Sequence, residues 1–152
     1  MKIVKAKESD LLAILMAQKR AFAEVGKLYG HSEIQPLTQT FDEILAEYRA
    51  GIILKCEIGG RLCGSIRAQQ DGCVCRVAKL FVDPEFRRMG LGYALLGEIE
   101  KYFPHCEKFA LLTRQITPHT RIFYEKAGYR VVPAAFGTPH GMFYMEKKRN
   151  VF

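Results

Sequence analysis

Between residues 79 and 103 the chain reads Lys-Leu-Phe-Val-Asp-Pro-Glu-Phe-Arg-Arg-Met-Gly-Leu-Gly-Tyr-Ala-Leu-Leu-Gly-Glu-Ile-Glu-Lys-Tyr-Phe. The middle of this stretch has the residue types that hold an anion. Arg87 and Arg88 supply full positive charges, and Gly90 and Gly92 lack the Cβ that would keep a ligand off the backbone. A helix opening here adds unbonded N–H groups and the positive end of its dipole. Phosphate or pyrophosphate is the ligand that such a combination suits.

The flanking residues set that loop between two elements. Leu80-Phe81-Val82 is apolar and β-prone, and Asp83-Pro84 ends it because proline cannot donate to a ladder. From Gly90 the apolar residues fall at 91, 95, 99 and 102/103, one stripe of a helix that Pro104 closes. Gly90-x-Gly92-x-x-Leu95 lacks the third glycine of the dinucleotide fingerprint, and no Gly-Lys-Ser/Thr is present, which excludes a P-loop.

What remains, Arg87-x-x-Gly90-x-Gly92 directly after Leu-Phe-Val-Asp-Pro, resembles the pyrophosphate-binding signature of the GNAT superfamily of N-acetyltransferases, which bind acetyl-CoA. A second stretch, Phe123-Tyr124-Glu125-Lys126-Ala127-Gly128-Tyr129, resembles the Leu-Tyr-Glu-Lys-x-Gly-Phe/Tyr segment of the same family. The resemblance implies cofactor contacts at Leu80, Phe81, Val82, Arg87, Arg88, Met89, Gly90, Leu91, Gly92 and Tyr93. It implies a catalytic role for Tyr124 as the general acid that protonates the leaving CoA thiolate. It also implies a bulge at Leu80-Phe81-Val82 that splays two strands, with acyl-pantetheine in the gap bonded like an added strand. A backbone N–H near Val82 would then polarise the thioester carbonyl and stabilise the tetrahedral oxyanion. Many relatives carry an asparagine seven residues before the tyrosine, near the pantetheine arm. This chain has Thr117, which can both cap and donate.

The general base stays open. An attacking ammonium must lose a proton, and many relatives use a Glu on or near the strand at 73–82, which here offers Arg76 and Lys79 but no carboxylate. The candidates are His31, Glu33, Glu57, His119, His140 or an ordered water, with histidine titrating nearest neutrality. The histidines are too far apart in sequence to mark a metal site, so no metal is expected.

The rest of the chain is read as the scaffold. Residues 2–6 suggest a first strand. Ser9 is a candidate N-cap for a helix with Leu11, Ile14, Leu15, Phe22 and Val25 on one face, ending at Gly26. Residues 27–39 show no clear period and read as a loop or short helix. Thr40-x-x-Glu43 is a capping box for a helix that Gly51 closes. A meander follows: 52–58, a Gly59-Gly60 turn, 61–70, an Asp71-Gly72 turn, then 73–82. Residues 107–113 read as a buried strand joined to 73–82 by a right-handed β-α-β crossover, hence parallel to it. Thr117-Pro118 opens a helix through Ala127 with Gly128 as C-cap. Residues 129–134 and 141–147 read as closing strands. This order matches the GNAT fold along nearly the full length. The expected fold is α/β (α+β), one N-acetyltransferase domain over 1–152, with a mixed sheet of about six or seven strands and helices on both faces.

Composition agrees with such a domain. The chain has 152 residues, 49% hydrophobic and 26% charged, enough for one core. No apolar run of membrane-spanning length occurs and the N-terminus lacks a signal-peptide core, so a cytosolic protein with no membrane partner is expected. Five cysteines (Cys56, Cys63, Cys73, Cys75 and Cys106) are an odd number, four of them in strand-like segments, and are read as reduced and mostly structural. The net charge of +7 is scattered, with one small cluster at Lys147-Lys148-Arg149, so nucleic acid is not the favoured partner. Part of the excess suits polyanionic CoA.

The resemblance therefore implies transfer of acetyl from acetyl-CoA to a primary amine by direct attack in a ternary complex. The acceptor, a small amine or a peptide amine, would meet residues 27–39, the 52–70 hairpin and the C-terminal strands, with Tyr29, His31, Glu33, Phe136, His140 and Phe143 among them. A non-catalytic acyl-CoA-binding regulator and a basic nucleic-acid-binding module are the rival readings. Oligomeric state is open, a homodimer being the commonest form.

Overall fold

A computed structural model describes residues 1–28, 34–133 and 135–149. Among them, seven strands form one mixed sheet in the order β1-β2-β3-β4-β5-β7-β6. The strands are β1 (Lys2–Lys5), β2 (Ile52–Ile58), β3 (Arg61–Asp71), β4 (Val74–Val82), β5 (Lys108–Arg114), β6 (Arg130–Val131) and β7 (Met142–Lys148). The helices are α1 (Leu11–Leu28), α2 (Gln35–Thr38), α3 (Phe41–Ala50), α4 (Leu91–Glu100) and α5 (Pro118–Lys126). All neighbours pair antiparallel except β4 and β5, which are parallel as the crossover through α4 requires.

Alternation along the strands makes two cores. On one face α4 sets Leu91, Leu95, Leu96 and Ile99 against Leu54, Ile66, Cys75, Val77, Phe109 and Leu111. On the other, α1 sets Leu11, Ile14, Leu15 and Ala21 against Ile53 and Phe81, with Ile44 of α3 beside them. Four cysteines are buried, Cys73 is exposed, and all five are free thiols.

The capping box of α3 forms as its spacing predicts. The Thr40 hydroxyl accepts from the Glu43 N–H at 3.2 Å, and Glu43 Oε1 accepts from the Thr40 N–H at 2.9 Å. Such a cap is worth about 0.5–2 kcal/mol. Gly128 has φ of +100° and closes α5 in a Schellman turn, with Tyr129 N–H on Tyr124 C=O and Gly128 N–H on Glu125 C=O, both 3.0 Å.

Several boundaries differ from the sequence expectation. Ser9 does not cap α1. A 3-10 turn over Glu8–Asp10 precedes the helix, tied by the Lys7 N–H to Asp10 Oδ2 at 2.7 Å. The helix then passes Gly26 to Leu28, because Gly26 does not take the left-handed φ that a glycine cap uses. Gly51 caps α3 with φ of −153° rather than in the left-handed region. Its missing Cβ is needed for space, since one would lie 2.2 Å from the Ala68 carbonyl oxygen. Helix α4 ends at Glu100 in turns that continue toward Pro104. The strand expected over 129–134 is two residues long.

Candidate functional site

The site begins where the sheet opens. β4 and β5 pair only from Val74–Lys108 to Arg76–Ala110. Just beyond, β4 carries an extra residue: Ser65 faces Phe81 and Arg67 faces Ala78, so Lys79 and Leu80 together oppose Ile66. Lys79 has φ of +56°, the left-handed conformation that a bulge uses to bend a strand. β4 thus turns away while β5 stays on β7 as far as Arg114–Met142. The bulge lies at Lys79-Leu80, at the start of the segment expected to carry it.

A cleft of about 920 Å³ fills the opening, with Val77, Ala78 and Leu80 on one wall and Ala110, Leu112 and Thr113 on the other. The Asp83 N–H bonds the Cys63 carbonyl of β3 at 2.8 Å. Alternation then turns the Val82 N–H toward the open side. Of the three expected strand residues, Leu80 lines the cleft, Val82 packs partly against the α4 core, and Phe81 is buried under α1, edge-on to Phe22 at 6.5 Å.

Tyr124 reaches the same cleft from α5. Its ring meets Phe123 at 5.1 Å and Tyr129 at 6.0 Å between centroids. Its hydroxyl makes no hydrogen bond among the described residues, and burial pushes the phenol above its ordinary value, so it holds its proton. Beside it lies a chain of hydroxyls of which sequence reasoning singled out only Thr117. Thr113 Oγ1 and Thr120 Oγ1 are 2.8 Å apart, Thr120 and Thr117 are 3.1 Å apart, and all three residues line the cleft. Thr117 does not cap α5 with its side chain: its hydroxyl donates to the Arg114 carbonyl at 3.3 Å.

The glycine loop lies past the C-terminal end of β4. Arg88 (φ +64°) and Gly90 (φ +77°) are both left-handed, and Gly90 caps α4 without a side-chain partner. The first intrahelical bond is Ala94 N–H to Gly90 C=O at 3.1 Å, so the N–H groups of Leu91, Gly92 and Tyr93 have no partner within the helix. Arg88 and Met89 are exposed. Arg87 is instead tied to α1, donating to Glu24 Oε2 at 3.3 Å and to the Ala21 carbonyl at 3.4 Å. This pair is mostly solvent-exposed and worth about 0–1 kcal/mol, which an incoming anion can replace. Gly92 has a second role, because a Cβ there would meet the Phe123 ring at 3.1 Å. Tyr93 stacks on the same ring at 4.5 Å. The two sequence motifs are therefore in direct contact.

Under the other wall lies a buried polar cluster. Arg67, 3% exposed, donates to Gln39 Oε1 (3.0 Å), Glu47 Oε2 (2.6 Å) and Gln18 Oε1. Lys79 reaches Glu47 at 3.5 Å and lines the cleft. Burial pushes the Lys79 ammonium below its ordinary value, with Glu47 opposing and Arg67 and Arg114 adding to the effect.

Among the described residues the expected bases are not brought to the cleft: His119 and His140 are exposed outside its lining, and Glu57 pairs with Lys55 on β2 at 3.5 Å. His31 and Glu33 lie outside the described residues, as does Tyr29. Among the described residues Glu146 is the one carboxylate in the lining. The Tyr144 hydroxyl (2.7 Å) holds it below the usual carboxylate range against the opposing effect of burial, and Lys108 (2.9 Å) adds to this. So placed, it is a poor proton acceptor. No part of the 52–70 hairpin lines the cleft, Phe143 faces the α4 core, and Phe136 stands exposed on the rim. Among the described residues, no group of three or more His, Cys, Asp or Glu is placed to hold a metal, and no helix is long and apolar enough to cross a membrane.

Known proteins share this architecture. The PaiA N-acetyltransferase of Thermoplasma acidophilum, solved with coenzyme A, superposes with a TM-score of 0.84 at 20% identity, covering 97% of this chain and 98% of that one. A ribosomal-protein-alanine N-acetyltransferase of Brucella melitensis gives 0.75 at 16% identity over 98% and 100%. In sequence, an uncharacterized N-acetyltransferase of Methanocaldococcus jannaschii is 35% identical over 77 residues, so the match spans 49% of this chain and about half the length of that relative. The family profile of the acetyltransferase (GNAT) domain matches residues 49–131, which contain the meander, the glycine loop and the tyrosine helix. By that match this chain belongs to the GNAT acetyltransferase family.

Proposed function

We propose that this chain is a single-domain N-acetyltransferase that moves acetyl from acetyl-CoA to a primary amine by direct attack in a ternary complex. The observation that carries the reading is the parted β4 and β5 with Tyr124 lining the gap between them. The chain fits the donor on its own geometry. The gap offers unpaired strand edges to an amide-containing arm. The uncapped start of α4, beside Arg88, offers N–H groups and positive charge to its phosphates.

In this reading Arg87, Arg88, Met89, Gly90, Leu91, Gly92 and Tyr93 hold the pyrophosphate, and Arg87 exchanges Glu24 for it. The strand Leu80–Val82 bonds the pantetheine, and the Val82 N–H polarises the thioester carbonyl. Donors aimed at a developing oxyanion contribute on the order of 10²–10³ in rate. Tyr124 keeps its proton across the working pH range and gives it to the leaving sulfur. The Thr113-Thr117-Thr120 hydroxyls stand where the asparagine contact of relatives would be and hold the arm near the tyrosine. A peptide amine is one acceptor to screen, since a structural relative is a ribosomal-protein-alanine N-acetyltransferase.

Calorimetric titration with acetyl-CoA tests this, on the wild type, on Gly92→Glu and on Gly97→Glu as a control. Gly92→Glu puts a carboxylate at the anion site and a Cβ against Phe123, whereas Gly97 faces open space on the same helix. Binding of about micromolar affinity is expected for the wild type and Gly97→Glu, weakened at least about tenfold in Gly92→Glu, about 1.4 kcal/mol. No binding by the wild type, or equal binding by all three, refutes the reading.

A further inference from the structure

The cleft has a charge pattern that the donor does not explain. Its described lining contains four basic side chains, Arg76, Lys79, Lys108 and Arg114, and one carboxylate, Glu146. These cations are distinct from Arg87 and Arg88, which lie outside the cleft lining. The pantetheine arm assigned to the gap is uncharged.

Three of the four have an anionic neighbour. Arg76 meets Asp71 at 2.8 Å, Lys108 meets Glu146 at 2.9 Å, and Lys79 meets Glu47 at 3.5 Å. Glu47 is shared with the fully buried Arg67, so that group of three carries a net positive charge whenever Lys79 is protonated. Arg114 has no carboxylate partner among the described residues. Its guanidinium stands 6.0 Å from the Phe22 ring centroid. Phe22 is fixed in turn by its edge contact with Phe81. β5 places Arg114 at the open end of the gap, next to Thr113 and opposite the Lys79-Leu80 bulge. There it adds to the field that lowers the affinity of Lys79 for its proton.

Two neighbouring cations and one shared carboxylate repel a free ammonium. They attract an anion, and an arginine in a fixed fork binds carboxylate in preference to other groups. Resting on the acetyltransferase reading above, we infer that the acceptor is an amine that also carries a carboxylate, bound by Arg114 with Lys79 beside it. A polyamine or a lysine-rich segment is disfavoured by the same charges. The carboxylate can belong to a free amino acid or to an acidic residue at a peptide N-terminus. The chemistry is shared, and the probes below separate the two sources.

The test compares L-glutamate, the peptide Glu-Ala-Gly with a blocked C-terminus, n-butylamine and spermidine. Each is measured by calorimetric titration against the protein saturated with CoA, and by CoA release from acetyl-CoA. Wild type is expected to bind and acetylate one or both carboxylate-bearing amines ahead of the other two. Preference for glutamate over the peptide identifies a small-molecule acceptor; the reverse identifies a peptide. Arg114→Met keeps the stem over Phe22 and removes the charge. Its ratio of kcat/KM for the preferred acidic amine to that for butylamine should fall about 10–100-fold, mostly through KM, and Arg114→Lys should restore part of it. Wild-type preference for butylamine or spermidine overturns the inference, as does an Arg114→Met variant that loses activity equally on all acceptors while its melting temperature is unchanged. The binding arm stands without turnover. If acetyl-CoA is not bound the transferase reading fails, while titration of the same four probes without CoA still decides the anion preference.

Discussion

Two tyrosines 6.0 Å apart give opposite expectations, and that contrast isolates the chemistry. The Tyr129 ring is 1% exposed, and its hydroxyl donates to Glu100 Oε2 at 2.9 Å. Lys147 Nζ holds the other oxygen of Glu100 at 3.0 Å. Tyr129→Phe removes a hydrogen bond to a charged acceptor, worth about 1.5–3 kcal/mol. Because Lys147 still satisfies Glu100, the lower half of that range applies. For a chain of this length the melting temperature should drop by about 3–8 °C, with kcat per folded molecule within about threefold of wild type. Tyr124 has no such bond, so Tyr124→Phe should change stability by less than about 0.5 kcal/mol. Its kcat should nevertheless fall about 10²-fold, or about 2.7 kcal/mol in the barrier. That is the lower end of general acid catalysis, because burial holds the phenol well above the pH at which it works. The assays are CoA-thiol release under saturating acetyl-CoA and thermal melts of both variants. A Tyr124→Phe enzyme within about threefold of wild-type kcat refutes the proton-donor role. A Tyr124→Phe melt as low as that of Tyr129→Phe refutes the assignment of the structural role to Tyr129 alone.

Two further expectations concern the scaffold. Gly51→Ala forces a Cβ to 2.2 Å from the Ala68 carbonyl oxygen, so the α3-β2 corner must shift at a cost of about 1–3 kcal/mol, read as a lower urea midpoint with acetyl-CoA affinity per folded molecule retained. The Asp83 carboxyl is raised by burial, but hydrogen bonds from Arg20 and the Glu85 N–H outweigh that and leave it below the usual 3.8. Its stabilisation is therefore complete above the unfolded value and is lost as pH falls through the lower, folded one. Asp83→Asn should cost about 1–2 kcal/mol at neutral pH, discounted because the Arg20 side chain is 60% exposed. The gap to wild type should close in urea melts as pH falls below the usual 3.8 and through the lower, folded value, and a gap constant with pH would show that the ion pair contributes nothing.

Much of the scaffold was legible because its signals are local. The Thr40/Glu43 box, the Gly59-Gly60 turn and the Gly128 cap each depend on a few adjacent residues, and each formed, whereas the second hairpin turns one residue later than expected, at Gly72-Cys73, because Asp71 stays in the ladder opposite Val74. Parallel pairing of β4 and β5 followed from the handedness of a crossover. The site was less legible. Leu80 and Tyr124 both line the cleft, but Phe81 faces the α1 core, since alternation after the bulge decides its side. A bulge at a lysine leaves no trace in the hydrophobic pattern. The Thr113-Thr117-Thr120 chain depends on where β5 ends relative to α5. Arg114 and Lys79 lie far apart in sequence, and their proximity, like that of Arg114 to Phe22, is purely tertiary. The described base candidates, His119, His140 and Glu57, stand away from the cleft for the same reason: residue type marks a side chain as capable, while only the fold decides which cleft it faces.

The bulge itself ties the scaffold to the chemistry. Parting two strands of a sheet leaves N–H and C=O groups along both edges, and each such group costs about 1–3 kcal/mol if it finds no partner. The opening persists because each edge strand keeps its other neighbour, β3 for β4 and β7 for β5, while the interrupted ladder opens onto the cleft. A glycine at position 79 would take the left-handed turn without strain, whereas lysine pays roughly 1–2 kcal/mol for it. A side chain retained at such a cost points to a role for the side chain. From the turn, Lys79 runs into the cleft and ends at Glu47 of α3. One strained residue thus bends β4 away from β5 and places a cation beside Arg114 in the cleft between them.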